Sequence, residues 1–503
     1  MRQLFQKANP QWLLPFVVVV YAIVKRNYCV DDALILARYA HNLLLGNGWS
    51  FNPGEPVNAA TSVLWALILA ALDASWGLTL SSIGAAYTLC VLAMGLGVFR
   101  LLKPKEGVKT AMLAAVATVS LPVLWQSNGM ETACEAALVV WTLVMFNEGR
   151  VYLSGFLLGL SILARPDAAL LGVLLLSVDW KFGRRNGWKI ALSAILVTLP
   201  WQIFAMTTFG SILPSTLAAK IAQSSLVWWK MAMPFILATL WYDPWTYPAA
   251  AVVVAGIVVA AKQRRLSLGG PTLLVVYGLA HALAYTAIRA PIGYCWYYVP
   301  MQISLAVGCV CAIRSQGAVL VDWMFPRAWV RSKSYVLKGA PYVLIGSLAV
   351  GTLLQPSVYR LGAEYRAVAS FLRSRDNGQA TVASAEIGYI GFFSGRRVLD
   401  VHGLIHPEAH AEIAEGKANW WLKRSPGFVV VHTPPWYGEP GYQADFLDSF
   451  KQRYRRVFEI PAGTEQAVAV WERTESGNPL GKVTPSINVS GRPQTGVQAQ
   501  AQP

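Results

Sequence analysis

The strongest constraint in this 503-residue chain is a series of long apolar segments that recur from the N-terminus to about residue 354. Each approaches the roughly 20 residues that a helix needs to cross the hydrocarbon of a bilayer. Hydrophobic residues make up 55% of the sequence and charged residues only 14%, whereas soluble domains carry about 25% charged residues. The sequence therefore predicts a polytopic α-helical membrane protein and excludes an ordinary soluble enzyme.

The apolar segments predict about eleven transmembrane helices. They lie near residues 11–24, 80–101, 109–126, 132–147, 151–164, 167–180, 188–208, 245–261, 271–288, 297–313 and 335–354. No small-residue cleavage site follows the first segment, so we expect it to remain as a span. Two more apolar segments, 61–78 and 228–240, are expected to lie on the outer surface, the second because Trp and Tyr flank it.

The distribution of Lys and Arg predicts the orientation. With the N-terminus in the cytoplasm, the inner segments hold nineteen Lys and Arg and the outer loops hold seven. Cytoplasmic loops of membrane proteins carry such an excess of cations. The net charge of +16 is therefore interpreted as a topology signal, and no nucleic-acid partner is predicted. An odd number of spans places the C-terminal region outside the cytoplasm.

The chain divides near residue 357. Residues 1–356 form the predicted transmembrane domain, with a first outer loop at 25–79. Beyond it, β-type runs at 381–385, 397–401, 428–432 and 467–471 alternate with helical patterns at 364–375, 408–415 and 445–456. This alternation predicts an extracytoplasmic α/β domain over 357–473. Residues 474–503 are rich in Gly, Pro, Ser and Gln and are predicted to be a disordered tail.

Two adjacent acids, Asp31 and Asp32, stand out just beyond the first span. Two carboxylates at a low-dielectric boundary repel each other, so at least one should titrate high, as a general base requires. The alternative is that they cap the helix that follows them, because Asp favours helix N-termini. Both interpretations hold if one Asp caps the helix while the other faces a site.

Further polar residues at the outer ends of the helices are candidates for binding a substrate. The cations suited to a phosphate are Arg38, Arg165, Lys220 and Arg289, and the residues suited to a sugar or an acceptor are His41, Glu131, Asp167, Trp296, Tyr297 and Tyr298. Arg38 and His41 equally suit a solvated helix face. Arg165 equally suits a structural ion pair with Asp167 or Glu131. The aromatic run equally suits an interfacial belt.

The sequence carries no convincing metal signature. His402, His406 and His410 follow a spacing of four, but Pro407 interrupts any helix that would join them. No metal site and no cofactor are predicted, and a divalent cation has no support. The six Cys residues all lie before residue 312, so the C-terminal domain has no disulfide framework.

Several segments together resemble a known family. The run DDALILARYAHNLLLGNGWSFNPGEPVNAATSVLW (31–65) is similar to the first extracytoplasmic loop of the GT-C superfamily, which comprises membrane glycosyltransferases that use polyprenyl-phosphate-linked sugars. Within it, the chain most resembles mycobacterial terminal arabinofuranosyltransferases and their bacterial relatives. The likeness continues to about residue 475 through GMET (129–132), RPD (165–167), FGSILPSTLAAK (209–220), WYYVP (296–300) and AEIGYIGFFSGRRVLDVHGL (385–404). The segment 58–61 (NAAT) departs from the family pattern.

The resemblance implies an inverting sugar transfer on the outer face of a bacterial plasma membrane, with an aspartate of the Asp31–Asp32 pair as the base. It implies a polyprenyl-phosphate sugar as donor and a cell-envelope glycan, lipid or protein as acceptor, among membrane lipids. Mannose, arabinofuranose and other pentoses all stay open as the sugar. Two rival interpretations are a non-catalytic membrane scaffold and a transporter. A transporter should carry ionisable residues near the bilayer midplane, and the sequence places them at one surface.

Overall fold

A computed structural model describes most of the chain. The described residues are 12–26, 28–183, 185–223, 234–263, 269–288, 290, 292–324, 330–354, 361–375, 379–417, 419–436, 438–442, 444–462 and 466–474. The side chains of residues 318, 320–324, 330–338 and 444–446 are outside this description. The predicted tail beyond residue 474 and the candidate Arg289 also lie outside the described residues.

Apolar helices occupy the regions that the sequence predicts as spans. Their bounds are Leu13–Lys25, Leu80–Val119, Thr132–Asn147, Val151–Ala164, Ala169–Lys181, Gly187–Phe209, Thr246–Lys262, Gly270–Ala287, Val299–Met324 and Val330–Leu354. Among the described residues, Leu80–Gln126, Gly187–Phe209 and Cys295–Gly317 are long and apolar enough to cross a membrane. Helix Phe235–Tyr242 meets helix Thr246–Lys262 at a bend of 118° and together they form a fourth such unit. The count of about eleven spans stays a prediction.

Helix Leu80–Val119 is a hairpin of two arms. Its backbone leaves the helical conformation at Gly107, where φ is 78°, a region that glycine enters without steric cost. Residues 95 and 119 would be about 36 Å apart along one straight helix. A Cβ added at Gly95 would instead lie 2.7 Å from Cγ1 of Val119. The chain therefore reverses at Gly107, and the two arms correspond to the spans predicted at 80–101 and 109–126.

Helix Gly187–Phe209 packs closely on helix Val151–Ala164 and presents the rest of its surface outward. A Cβ added at Gly155 would collide with the carbonyl oxygen of Ile190, and one added at Gly159 would lie 2.6 Å from Val197 Cβ. Small residues permit this close approach of helix backbones in membranes. The exposed face of the helix is apolar, with residues Leu192, Ile195, Leu196, Leu199 and Ile203. Such a face is suited to lipid.

The first outer loop contains two further helices, Asp31–Leu44 and Val63–Trp76, joined by a turn-rich segment. We call Asp31–Leu44 the first-loop helix. Most of it is buried, because helix Val63–Trp76 and the C-terminal domain both pack against it. Arg38 and Asn42 both donate to the carbonyl of Phe51 at 2.7 and 2.8 Å, which holds the turn-rich segment against the helix.

The C-terminal region folds into a five-stranded sheet with short helices. The strands are β1 (Val382–Ser384), β2 (Val398–Asp400), β3 (Phe428–Thr433), β4 (Tyr454–Pro461) and β5 (Ala467–Arg473), in the order β2-β1-β3-β5-β4. Strands β2, β1 and β3 are parallel to one another, and β5 is antiparallel to both of its neighbours, β3 and β4. The helices are Gly362–Arg373, Gly388–Ser394, His410–Ala414 and Ala444–Lys451. The α/β character that the sequence predicts is confirmed.

One strand differs from the prediction. The sequence predicts a helix over 445–456, but the helix ends at Lys451 and β4 begins at Tyr454. Pairing with β5 explains the change, because it satisfies the backbone of β4 along its length. The ring of Phe458 on β4 stacks on Phe371 at 4.6 Å, so this strand also packs against helix Gly362–Arg373.

Candidate active site

The first-loop helix brings the two adjacent acids to the junction with the C-terminal domain. It begins at Asp31, its N-cap residue is Val30, and no side chain caps it. The alternative that the acids cap their own helix is therefore wrong. Asp31 is 2% exposed, and Asp32 is half-buried.

Asp31 caps a different helix, Gly388–Ser394, which we call the docking helix. Its Oδ2 accepts from the backbone N–H of Gly388 at 2.8 Å, and its Oδ1 accepts from that of Tyr389 at 2.7 Å. A carboxylate is favourable at a helix N-terminus, where unpaired N–H groups carry partial positive charge. The backbones nearly touch, since a Cβ added at Gly388 would collide with the Asp31 carbonyl oxygen. Asp31 therefore fixes the C-terminal domain to the first outer loop.

Arg38 binds the other end of the docking helix. Its guanidinium donates to the carbonyls of Gly391 and of Arg396, the latter at 2.7 Å. The guanidinium carbon also lies 4.9 Å from the centre of the Phe51 ring, and the residue is 5% exposed. The structure therefore gives Arg38 a structural role in place of the phosphate contact expected from the sequence. Its donors already serve backbone carbonyls.

Asp32 is the acid whose carboxylate stays available. Within the described part of the chain, no residue hydrogen-bonds to this carboxylate, although its neighbour Asp31 makes two such bonds. Burial raises the pKa of Asp32 to about 7, with a further upward contribution from Asp31 and an opposing one from Lys220. A carboxyl group with such a pKa exchanges its proton near neutral pH, which suits a general base.

Lys220 faces the same space from helix Ser215–Gln223, which we call the Lys220 helix. Its Nζ donates to the hydroxyl of Tyr297 and lies 4.8 Å from the centre of that ring and 5.3 Å from the ring of Tyr294. Aromatic faces stabilise a cation in this position. The charge of Lys220 also acts on Asp32. The site thus combines one available carboxylate with one half-buried ammonium group.

Two more acids, Glu386 and Asp400, come from the C-terminal domain and form with Asp31 and Asp32 what we call the acidic cluster. The sequence interpretation missed both as site residues. Glu386 follows β1 and interacts electrostatically with Asp31, while Asp400 ends β2. Burial and the charge of Asp31 raise the pKa of Glu386 well above its ordinary value. Burial likewise raises the pKa of Asp400. The carboxyl ends of adjacent parallel strands share one sheet edge, where α/β sheets place functional groups. That rule was the available signal.

Asp400 also organises the turn that holds the Lys220 helix. Its carboxylate accepts from the backbone N–H groups of His402 at 2.8 Å and Leu404 at 2.6 Å. The carbonyl of His402 in turn accepts from Gln223 Nε2 at 2.7 Å. Ser215 at the start of the helix donates its N–H to the Asn58 carbonyl at 2.8 Å. The Lys220 helix is therefore held between the first outer loop and the C-terminal domain.

A second cluster, centred on Arg165, lies at the ends of the apolar helices next to the 3-10 helix Cys295–Tyr298. Its guanidinium donates to Glu131 at 3.0 Å, to Asp167 at 2.7 Å and to the hydroxyl of Tyr285 at 2.9 Å. Its Nε also lies 3.8 Å from Glu135. The geometry matches the structural ion pair that the sequence leaves open for Arg165, with three carboxylates around one buried cation. A donor phosphate would have to compete with all three.

The three aromatic candidates are buried within the protein. Trp296, Tyr297 and Tyr298 lie in one short 3-10 helix, with 2%, 6% and 1% exposure. The interpretation as a lipid-facing belt is therefore wrong. Tyr297 contacts both clusters, because the guanidinium carbon of Arg165 lies 4.9 Å from its ring centre and Lys220 bonds to its hydroxyl. Trp296 stacks on Tyr294 at 4.8 Å.

Two remaining candidates lie away from the Asp32 carboxylate or outside the description. His41 is exposed, and its Nδ1 lies 2.8 Å from Oδ2 of Asp73. Its contact is thus to the helix Val63–Trp76 and not to the acidic cluster. Arg289 falls outside the described residues. In the described ranges, no group of three His, Cys, Asp or Glu residues is arranged to hold a metal ion.

The fold is that of GT-C membrane glycosyltransferases, as the sequence resemblance predicts. Across 92% of this chain and 98% of the other, it superposes on ArnT from Cupriavidus metallidurans bound to undecaprenyl phosphate, with a TM-score of 0.61 and 12% sequence identity. At that identity the likeness concerns the fold alone. The chain is therefore a polytopic α-helical membrane protein with a C-terminal α/β domain.

Proteins related in sequence indicate a narrower class of enzyme than the fold does. The chain is 31% identical over 280 residues to the terminal β-(1→2)-arabinofuranosyltransferase of Mycobacterium tuberculosis, and 30% identical over 311 residues to that of Corynebacterium glutamicum. The alignments cover 50% and 51% of this chain and 44% of each relative, so the chain matches less than half of their length. Residues 357–476 match a family described as a domain of unknown function (DUF8728). The predicted resemblance to terminal arabinofuranosyltransferases is confirmed.

Proposed function

We propose that this chain is an inverting glycosyltransferase that moves a sugar from a polyprenyl-phosphate donor to a cell-envelope acceptor on the outer face of the membrane. The observation that carries the proposal is the position of Asp32, a half-buried carboxylate within electrostatic reach of the ammonium group of Lys220. Relatives that are arabinofuranosyltransferases support the class of reaction. They also favour arabinofuranose as the sugar.

The reaction needs one base and one cation. A hydroxyl oxygen of the acceptor attacks the anomeric carbon on the side opposite the phosphate, and the bond between that carbon and the phosphate oxygen breaks. Asp32 accepts the proton of the attacking hydroxyl. The polyprenyl phosphate leaves with the bonding electrons, and Lys220 offsets its charge. A phosphate leaves without being protonated, so a second acid group is unnecessary.

The position of the site supports a lipid-linked donor. The acids and Lys220 lie where the first outer loop, the aromatic 3-10 helix and the C-terminal domain meet. A donor with a lipid tail would place its phosphate at this level and its tail among the apolar helices below. The similarly folded ArnT structure was solved with undecaprenyl phosphate, a ligand of that chemistry.

The proposed localisation rests on the distribution of charged residues along the chain. We place the protein in a bacterial plasma membrane with its N-terminus in the cytoplasm and its C-terminal domain outside. The excess of Lys and Arg on the predicted inner loops supports this orientation. In a cell, a cysteine-reactive reagent that cannot cross the membrane should label a Cys introduced at exposed Asp448 and spare one introduced at Lys105, an exposed residue of the predicted inner loop.

The activity test uses purified full-length protein in lipid nanodiscs with a panel of polyprenyl-phosphate sugars. Release of free polyprenyl phosphate with an accepting glycan is expected for at least one donor. Asp32→Asn should lower kcat by about 10³-fold, as expected for loss of a general base. The matched control is Asp448→Asn, an exposed acid on helix Ala444–Lys451, which should keep full activity.

Two results would contradict the proposal. One is unchanged transfer by a correctly folded Asp32→Asn variant, which would remove the proposed base. The other is the absence of polyprenyl phosphate release with every donor and acceptor, which would favour the non-catalytic scaffold. Movement of an intact lipid-linked sugar between vesicle leaflets, without cleavage, would favour the transporter.

A further inference from the structure

A polar cavity of about 540 Å³ lies at the junction of the first outer loop and the C-terminal domain, outside the acidic cluster. Its walls include Glu55 and Val57 from the loop and Arg397, Ile405, Glu408 and Arg424 from the domain. The volume is in the range of small-molecule binding sites, which form preferentially between domains. Neither Asp32 nor Lys220 lines this cavity.

The charges in the cavity are balanced. Arg397 forms an ion pair with Glu55 across the junction, and Arg424 lies 3.5 Å from Glu408. Both Arg side chains are more than half exposed, at 54% and 57%, so their N–H groups are accessible to a ligand. Guanidinium groups only donate hydrogen bonds and carboxylates only accept them. Paired in this way, they suit a neutral ligand with many hydroxyl groups and offer no net attraction to an anion.

A buried histidine orders one wall. His406 is 5% exposed; its Nδ1 lies 3.2 Å from Glu408 Oε1 and its Nε2 lies 3.3 Å from the Val398 carbonyl oxygen. Its ring packs 5.2 Å from the ring of Trp420. Glu408 thus contacts a side chain that is itself fixed by packing. Such support lowers the entropy lost when a ligand binds.

The cavity adjoins the start of the Lys220 helix. Val57 and Ile405 line it, and their chain neighbours Asn58 and Leu404 accept hydrogen bonds from Ser215 at 2.8 and 3.3 Å. On β2, Leu399 lines the cavity while the next residue, Asp400, turns to the acidic cluster, as side chains alternate along a strand. The cavity and the acidic cluster therefore lie on opposite faces of β2, which is the edge strand of the sheet, and a ligand several sugar units long would reach from one to the other around that edge.

We propose that this cavity binds a neutral oligosaccharide, the part of the acceptor that lies behind the attacking hydroxyl. The inference rests on the proposed function and assigns its acceptor class. Glu55, Arg397, Glu408 and Arg424 hold the sugar hydroxyls, and the end of the glycan reaches Asp32.

The test compares Arg397→Gln and Arg424→Gln with Arg456→Gln in the full chain. Arg456 is a matched control, because it lies in the same domain, has a side chain that is also 54% exposed and pairs with Glu459 at 2.9 Å. The acceptor probes are a neutral arabinofuranose tetrasaccharide, a neutral mannose tetrasaccharide and a tetrasaccharide bearing uronic acids. Each cavity variant should raise the KM for a neutral acceptor about tenfold, with kcat and the donor KM unchanged. The control should match wild type.

The outcomes separate this inference from the proposed function. Unchanged acceptor KM in both cavity variants, with transfer still dependent on Asp32, would overturn the acceptor site and leave the glycosyltransferase standing. A preference for the uronic acid tetrasaccharide would overturn the assignment of a neutral ligand. Saturation-transfer NMR of wild-type protein with the neutral probes, without donor, gives a readout independent of catalysis. We expect the saturation-transfer signals of the neutral probes to be lost in Arg397→Gln and kept in Arg456→Gln. Equal signals in the two variants would contradict the site.

Discussion

Asp31 and Arg38 bind opposite ends of the same short helix, Gly388–Ser394, from positions seven residues apart on the first-loop helix. The carboxylate meets the N-terminus and the guanidinium meets the carbonyls at the C-terminus, so each charge matches the helix dipole. This leaves Asp32 as the acid of the pair whose carboxylate is available. Two adjacent and chemically identical residues thus have different tasks because a distant segment binds only one of them.

Asp31→Asn should destabilise the docking helix, whereas Asp32→Asn should abolish sugar transfer. In Asp31→Asn, the new side-chain amide has one oxygen to accept the two backbone N–H groups of Gly388 and Tyr389, and its N–H₂ opposes the other. We expect a loss of about 1 to 3 kcal/mol in the stability of this contact. Hydrogen exchange at residues 388–394 should rise in Asp31→Asn and stay at the wild-type rate in Asp32→Asn, which should instead lose transfer. Equal exchange in both variants would argue against the capping role.

Gly388→Ala should also loosen the docking helix. The added methyl would collide with the Asp31 carbonyl oxygen and lie 2.8 Å from Asp31 Oδ2, so one backbone has to move. Overpacking of this kind costs about 1 to 3 kcal/mol. Gly346→Ala is the matched control, since nothing lies within 4 Å of its added Cβ and helix Val330–Leu354 should tolerate it. The midpoint temperature of thermal unfolding in nanodiscs is expected to fall for Gly388→Ala only. Equal midpoints in the two variants would contradict the close contact.

The pH dependence of transfer should follow Asp32. A base works in its deprotonated form, so kcat/KM should rise as pH increases through about 7 and level off above it. Lys220 lowers the pKa of Asp32, and removing its charge should therefore raise that pKa. The acidic limb of the profile is expected to move to higher pH in Lys220→Gln, together with a higher donor KM. A limb that stays in place, or moves to lower pH, would show that the charge of Lys220 does not lower the pKa of the catalytic base.

Local patterns in the sequence were sufficient for the fold class. Hydrophobicity sets where helices form in lipid, and the helices accordingly lie at the predicted spans. Strand β4 was not predicted from the sequence, because its pairing with β5 outweighs the local preference of residues 454–456 for continuing the helix. The resemblance to terminal arabinofuranosyltransferases also came from local motifs, in their order along the chain.

The site was less accessible to the same reasoning. Asp31, Asp32 and Lys220 were predicted because each is an ionisable residue at the outer end of an apolar helix. Glu386 and Asp400 were missed because only the parallel pairing of β1 and β2 brings them to one edge. The role of Arg38 depends on carbonyls more than 350 residues away in sequence. No local pattern predicts such a contact.

Asp400 and Gln223 are expected to act through Lys220. Asp400→Asn weakens the turn at His402 and Leu404, and Gln223→Ala removes the bond from the Lys220 helix to that turn. Both should raise the donor KM about tenfold. Gln223→Ala should also move the acidic limb of the pH profile upward, because Lys220 is no longer held near Asp32. Asp400→Asn removes a negative charge that raises the pKa of Asp32, so its acidic limb should lie at lower pH than that of Gln223→Ala. Glu415→Gln, an exposed acid of the same domain, is the control. A lower thermal midpoint with an unshifted pH profile would indicate a structural role alone.

Arg165 offers the sharpest choice between the two interpretations that the sequence leaves open. If it balances Glu131, Glu135 and Asp167, then Arg165→Gln leaves three acids around a neutral side chain, and the loss of a buried partner costs about 3 to 5 kcal/mol.

We therefore expect a large fall in the thermal midpoint of Arg165→Gln. Arg150→Gln is the control, because Arg150 is exposed and lies 3.7 Å from Glu148, a surface pair worth at most about 1 kcal/mol. If Arg165 instead binds the donor phosphate, the donor KM should rise while the thermal midpoint stays unchanged. The three surrounding carboxylates favour the first result, since they already neutralise the charge that a phosphate would need.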